Sequence, residues 1–440
     1  IKITNRFNLN LGLRSDFNQF ISKPATDNFT NDSALPKFAQ YYDLNGAKSG
    51  LKPVMPLSLS PRIGFTIQLK NAFTIKGGIG LFTGRAPLAW PAGIYINNGI
   101  FVGGYTASSN ENTTALSTIR FRSDAFHQWR ANEVGISLNK GGLNLIASDF
   151  KMPKLLRTSI SLDKKFNNGW SATAEALFSK NINEIYYTNI NIFPPVNVSA
   201  NPNSRNIYPT NLLIPITANG TNSYDNVILL SNNQGSKGYS YQFTITINKR
   251  SKMFDMNTSY SHGKSIAIND GTSSVNLSQW RYNETVNGRN FLSTSISDFN
   301  PGHRIFAYAS KRFSYANKKM STTISLVYTG QSGSPFSYVY ANSMVKDYGS
   351  SESNDLIYIP TKTELQSMAF VSNTIDGVTY TSQQQKTALE NYIENDSYLN
   401  KHRGQFAERN AAFLPFTNIV DIKVSQSFNM KIDKHLYGFE

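Results

Sequence analysis

Three of the four tryptophans, Trp90, Trp129 and Trp280, fall in long stretches without strand periodicity, with Arg130 and Arg281 beside two of them. Indole rings placed so can stack on sugar rings, bases or a partner protein. They are also what a long loop uses to pack on itself, because each supplies a large apolar area. These three are the candidate ligand or partner contacts. The five histidines, His127, His262, His303, His402 and His435, are scattered, and none forms an i, i+4 pair around a glutamate. His262 and His303 both fall near strand–loop junctions and could meet to hold a metal, or stand solvated in loops. Asp355 beside Leu356–Ile359 is a lone carboxylate, whereas calcium takes several oxygen ligands.

The glycine motifs do not complete a site. Gly78-Ile79-Gly80-Leu81-Phe82-Thr83-Gly84 has its last glycine one residue too late for a dinucleotide fingerprint, and no helix pattern follows. Gly263-Lys264-Ser265 lacks the upstream P-loop glycine, Thr258 standing there instead, and Gly330-Gln331-Ser332-Gly333 fails the nucleophile-elbow spacing. The absence of cysteine excludes a thiol nucleophile and any cysteine-ligated zinc or iron–sulfur centre. No coherent catalytic set and no cofactor are implied: catalytic residues none, metal ligands none, and the chain reads as a non-enzyme.

The elements that carry these residues are strands. Apolar residues alternate with polar ones along Phe7–Leu13, Ile63–Leu69, Phe73–Leu81, Leu156–Phe166 and Trp170–Phe178. The pattern continues in Tyr239–Ile247, Phe254–Tyr260, Ile305–Phe313, Met320–Tyr328 and Val420–Met430. Short turns fall near 70–72, 167–169, 250–253, 315–319 and 431–434. Long connections fall near 15–60, 84–153, 191–236, 264–301 and 331–416. Short and long alternate strictly, and the strands run about 10–15 residues, against about 5–6 in soluble sheets. An up-and-down barrel in an outer membrane has this layout, with tight periplasmic turns and long external loops. A soluble sandwich gives its loops no reason to sort by parity. Gln383–Asn395 reads as a short helix in the last loop.

The expected fold is therefore all-β, a transmembrane antiparallel up-and-down β-barrel, here a partial barrel of about 10–11 strands. Ile67, Ile160, Ala174, Ile245 and Val424 would meet lipid; Arg157, Asp163, Glu175, Gln242, Asn257 and Lys423 would line the lumen. Phe178, Tyr186, Tyr187, Tyr239 and Tyr328 suit an interfacial girdle. Composition agrees: of 440 residues only 16% are charged, while Phe and Tyr number 28 and 23. Lys and Arg (43) exceed Asp and Glu (28), giving +15. These cations are dispersed rather than blocked, which points away from nucleic acid and toward anionic lipid at a barrel rim. Ile1 begins without a leader pattern and Lys434–Glu440 ends on a strand start, so both ends read as cuts through something larger.

SPRIGF (60–65), GGIGLFTGRAP (77–87) and LLRTSISLDKKFNNGWSATAEALFSKNINEIYY (155–187) resemble the barrel of a TonB-dependent receptor. So do YTGQSGSPFSYVY (328–340), NDLIYIP (354–360) and RGQFAERNAAFLPFTNIVDIKVSQSF (403–428). The flavour is that of the Bacteroidota, Oar-like group with a carboxypeptidase-regulatory-like domain upstream. The resemblance implies a barrel of about 22 strands with an N-terminal plug, in the bacterial outer membrane. It implies that residues 1–440 are the C-terminal part of such a barrel, without plug or N-terminal domains. The implied activity is import of a scarce, bulky solute (siderophore, peptide or glycan), driven by TonB acting through a plug outside this chain. Implied partners are outer-membrane lipid, TonB, and a surface lipoprotein or other envelope protein; nucleic acid is not among them. Two rivals stand beside it. One is a non-transporting outer-membrane barrel that serves as a component of a multi-protein secretion or assembly complex. The other is a soluble all-β binding or carbohydrate-active protein.

Overall fold

The computed structural model describes residues 1–84, 88–100, 121–129, 133, 140–199, 204–217, 220, 222, 224–317, 319–348, 353–432 and 435–439. Arg130, Asn201-Pro202 and the tip of the last turn at 433–434 lie outside the described residues. One antiparallel sheet runs through eleven strands in strict chain order. They are β1 (Phe7–Asp16), β2 (Ser58–Gln68), β3 (Phe73–Thr83), β4 (Lys154–Lys165), β5 (Trp170–Asn183) and β6 (Tyr239–Arg250). β7 (Phe254–Ala267), β8 (Gly302–Tyr315), β9 (Met320–Gln331), β10 (Thr417–Ile432) and β11 (His435–Phe439) complete it. The two-residue strand Ser295–Ile296 adds to the loop end of β7. Among the described residues β1 and β11 are not paired to each other, so the sheet is a partial wall.

The short turns form where the sequence supplies residues that accept positive φ. Asn71 and Ala72 sit at 60° and 61°, Asn168 and Gly169 at 60° and 76°, and Ala316 and Asn317 at 51° and 53°. These are the primed-turn values that match the right-handed twist of a tight hairpin. Gly169 has a second reason to be glycine: a Cβ there would lie 2.1 Å from the Arg250 carbonyl oxygen.

Register sorts the side chains by face. Ile67, Ile75, Leu162, Ala174, Ile245 and Tyr260 form one cross-strand row. The opposite face carries Asp163, Thr173, Thr246 and Ser259 in a parallel row. The polar face is internally bonded: Lys76 pairs with Asp163 at 2.9 Å and Arg312 Nε donates to Ser321 Oγ at 3.0 Å. The apolar face is open, with Ile160 at 54%, Ile245 at 56% and Ile422 at 70% exposure. Every buried apolar residue among the described residues belongs to a long loop, none to a wall strand. A water-soluble sheet buries its apolar face; this one presents it, which only a hydrocarbon solvent rewards.

Candidate functional site in the long loops

The described residues of all five long loops lie at one end of the wall, and their packing follows from short apolar runs. Asn226–Asn232 (NVILLSN) is the centre of a three-stranded sheet, parallel to Gly142–Ile146 and antiparallel to Ile185–Asn189. Its run is continuous rather than alternating because both faces are covered. Ile228 and Leu230 join Trp90, Ile146, Tyr187 and Trp280 on one side. Val227 and Leu229 join Phe38, Leu143, Leu145 and Tyr224 on the other. The last loop has its own core of Leu356, Ile359, Ile393 and Leu399 beneath the helix Ser382–Asn395. That helix starts on a capping box of Thr381 and Gln384.

Two of the three candidate tryptophans meet in the first cluster. Trp90 packs edge-on against Tyr187 at 6.0 Å and donates to the Ser273 carbonyl at 2.7 Å. Trp280, fully buried, stands edge-on to Tyr348 at 5.3 Å and donates to Asn290 Oδ1 at 2.8 Å. Trp129 is apart from them, half-buried, with the Arg122 guanidinium 3.8 Å above its ring. Tyr186 and Tyr187, expected in an interfacial girdle, are instead in the loop sheet, Tyr187 at 1% exposure. They follow β5 too closely in sequence for periodicity to separate them from it. Phe178 and Tyr239 do stack on the wall's apolar face, at 6.5 Å.

Polar pairs far apart in sequence lock the loops together. Arg289 and Asp347 form an ion pair with both side chains at most 1% exposed. Burial pushes the Asp347 carboxyl above its ordinary range against the pull of Arg289. Asp27 accepts from Lys140 Nζ at 2.9 Å and from Thr30 Oγ1 at 2.7 Å. Burial raises its carboxyl, but these partners and Tyr224 overcome that and hold it below the usual carboxylate range.

A cavity of about 460 Å³ opens between the fourth and last long loops, lined by Glu284, Thr285, Phe291, Ser295, Phe406 and Arg409 among others. Arg409, 6% exposed, donates to the Ile268, Ala267 and Asn283 oxygens, and its Nε is left unpartnered. Ser295 Oγ is likewise buried without a partner. Burial pushes the Glu284 carboxyl up. The cavity lining thus includes a carboxyl, a guanidinium and a hydroxyl together with two aromatic rings, a composition that suits a polar organic solute. Sequence reading missed Glu284 and Arg409: Glu284 belongs to no motif, Arg409 falls in the 403–428 block with nothing there to mark it as a site residue, and 125 positions separate the two.

A wall that turns its apolar face outward, strands long enough for a bilayer and loops gathered at one end define the architecture. The sequence profile of the outer membrane beta barrel domain matches residues 1–436. The chain belongs to that family. It is an outer-membrane barrel protein, and its family is one of membrane barrels rather than of enzymes. Solved structures similar to this outer membrane beta barrel include the outer membrane transporter YddB of Escherichia coli, 12% identical, TM-score 0.36. That match covers 65% of this chain and 30% of the transporter. The FrpB iron transporter of Neisseria meningitidis is 13% identical with TM-score 0.35, covering 75% of this chain and 32% of that one. The siderophore receptor PirA of Acinetobacter baumannii is 10% identical with TM-score 0.39, covering 98% and 38%. The chain therefore spans about a third of the length of these transporters. No curated protein matches it in sequence.

The remaining candidates find places in the barrel. His262 and His303 are cross-strand neighbours with ring centroids 4.3 Å apart. No group of three His, Cys, Asp or Glu able to hold a metal exists among the described residues. Asp355 serves the loop backbone: its Oδ2 accepts from the Met344 and Val345 N–H groups and the Ser343 hydroxyl. Gly78 and Gly80 face the lumen on β3, with Arg62 and Arg157 on the flanking strands at 4.3 and 5.9 Å from the Phe82 ring.

Proposed function

We propose that this outer membrane beta barrel is the barrel portion of a TonB-dependent receptor that imports a scarce, bulky solute such as a siderophore, peptide or glycan. The observation that carries this reading is the loop assembly, which encloses a polar cavity of about 460 Å³ at the loop end of the wall. A cavity of this size, with a few polar groups among apolar and aromatic side chains, has the character of a ligand site. The solute enters at Glu284 and Arg409, and Trp129, half-buried under the Arg122 guanidinium in the second long loop, is a further contact for it. Trp90 and Trp280 act by fixing the loops' shape. A plug from chain outside these 440 residues, moved by TonB, then admits the solute to the lumen.

The test is uptake by cells carrying the full-length receptor, measured against a panel of labelled siderophores, peptides and glycans. Deleting the receptor gene or TonB abolishes accumulation of one of them, and Glu284→Gln with Arg409→Met reduces it at least tenfold. If neither deletion changes accumulation of any panel member, while the purified protein holds a stoichiometric protein partner, the barrel is a scaffold of an envelope complex instead.

A further inference from the structure

Near the loop end of the wall, the outward face changes character. His262 on β7 and His303 on β8 lie side by side at 4.3 Å and 31°. The Tyr260 hydroxyl meets His303 Nδ1 at 2.7 Å, leaving Nε2 as that ring's second polar atom. His262 Nδ1 is buried with no partner. Lys264 shares this face one pleat nearer the loops, half-buried, and no carboxylate pairs with it among the described residues. These groups edge a groove of about 470 Å³ whose other side is Phe413, Leu414 and Phe416, exposed at 44%, 53% and 42%. A second groove of about 500 Å³ shares Tyr241 and His262 and continues down the wall past Phe178, Phe243 and Ile160.

The two grooves together are apolar along the wall and cationic at the rim. The chain's family places this face against lipid, so the occupant comes from the membrane. The rim end supplies an ammonium, two imidazoles and the Tyr241 hydroxyl, which match a phosphate through charge-assisted hydrogen bonds. The lower end supplies an acyl-chain track. Two imidazoles with no third ligand do not make a metal site. We propose that this groove is a binding site for a phosphorylated, acylated membrane lipid. Its phosphate rests on Lys264, His262 and His303, and a chain lies along Phe413, Leu414 and Phe416 or down past Phe243. The site rests on the membrane placement of the wall and not on the import reading.

The test uses the full-length protein in zwitterionic detergent with three probes: bisphosphorylated lipid A, the same lipid dephosphorylated, and inorganic phosphate. Native mass spectrometry counts what stays bound. Wild type retains one phosphorylated lipid, and Lys264→Gln with His262→Phe lowers that retention at least tenfold. Lys311→Gln, on the same face at the opposite end of β8, leaves it unchanged. Heat-modifiable gel mobility confirms that each variant is folded. If the double variant fails to fold, Lys264→Gln alone carries the test, since the Lys264 side chain makes no hydrogen bond or ion pair among the described residues. Equal retention by the variants, equal retention of dephosphorylated lipid, or full displacement by millimolar inorganic phosphate would each overturn the site.

Discussion

Replacing Asn290 with leucine will loosen the loops without touching the wall. Its Oδ1 accepts from Trp280 Nε1 at 2.8 Å and from the Asn189 N–H at 3.0 Å. Its Nδ2 donates to the Asn189 carbonyl at 2.9 Å and to the Tyr42 hydroxyl at 3.3 Å. One side chain therefore joins the first, third and fourth long loops. Leucine keeps much of the volume but strands two donors, on Trp280 and Asn189, which are 0% and 1% exposed. At about 1–3 kcal/mol for each buried unpaired donor, the loss is roughly 2–6 kcal/mol. The lower bound alone raises the loop opening constant about thirtyfold. Native-state amide exchange reads this directly: amides of 185–189 and 226–230 exchange at least thirtyfold faster, while amides of β4 to β9 keep their rates. Adding Trp280→Phe removes one stranded donor together with its partner, so the double variant loses less than the sum of the singles. The reasoning fails if the loop amides do not accelerate, or if the wall amides accelerate with them.

Gly271 sits at φ +66° with a would-be Cβ 2.8 Å from Trp90 Cη2, so Gly271→Ala destabilises the loop pack by roughly 2 kcal/mol or more. Tryptophan fluorescence will report it as a lower loop-unfolding temperature. Ile245→Arg, at mid-strand on the outward face, costs about 2–4 kcal/mol for folding into vesicles, and Thr244→Arg on the lumen face costs far less; equal costs would mean the faces are misassigned. Asp27 has a depressed folded pKa, so its contribution is present above the unfolded value of about 3.9 and is lost as pH falls through the folded value. Limited proteolysis of residues 17–57 should therefore speed up only in acid, and Lys140→Met should speed it already at neutral pH.

The wall was legible because each strand repeats a two-residue pattern over enough positions to be recognised, and because turn length alternates with loop length. Asn71, Asn168 and Asn317 marked their turns by residue type alone. The loop sheet was not legible in the same way. NVILLSN and GLNLI are short apolar runs that fit a buried strand or a buried helix turn equally, and nothing local says that the first pairs in parallel with a segment some 80 residues earlier. Arg289 and Asp347 carry no mark of each other, since a buried ion pair is a property of three-dimensional packing and each residue alone reads as a solvated charge. His262 and His303 were legible as two strand-end histidines able to meet, but the register that makes them direct cross-strand neighbours depends on where β8 begins. Asn290 shows the limit best, because in a chain rich in asparagine one loop amide has no visible distinction until its four hydrogen bonds to Trp280, Asn189 and Tyr42 are in place.

The charge excess is redistributed by this packing. Loop carboxylates are largely used within the loops. Asp347 faces Arg289, Asp27 faces Lys140, and Asp396 accepts from the Tyr398 and Leu399 N–H groups. Glu390 takes Arg403 at 2.8 Å. Arg62 and Arg157 stand on the lumen face over Phe82 with no carboxylate pairing among the described residues, and Lys264 stands at the lipid rim. Thus part of the +15 is presented at two surfaces, the lumen wall and the membrane rim, while these loop carboxylates are taken up by partners within the loops. Salt separates the two populations. At about 0.15 M the Debye length is about 8 Å, which screens solvent-facing cations and leaves buried pairs such as Arg289–Asp347 nearly untouched. Raising the salt concentration should therefore weaken whatever anion meets the lumen or the rim before it weakens the loops.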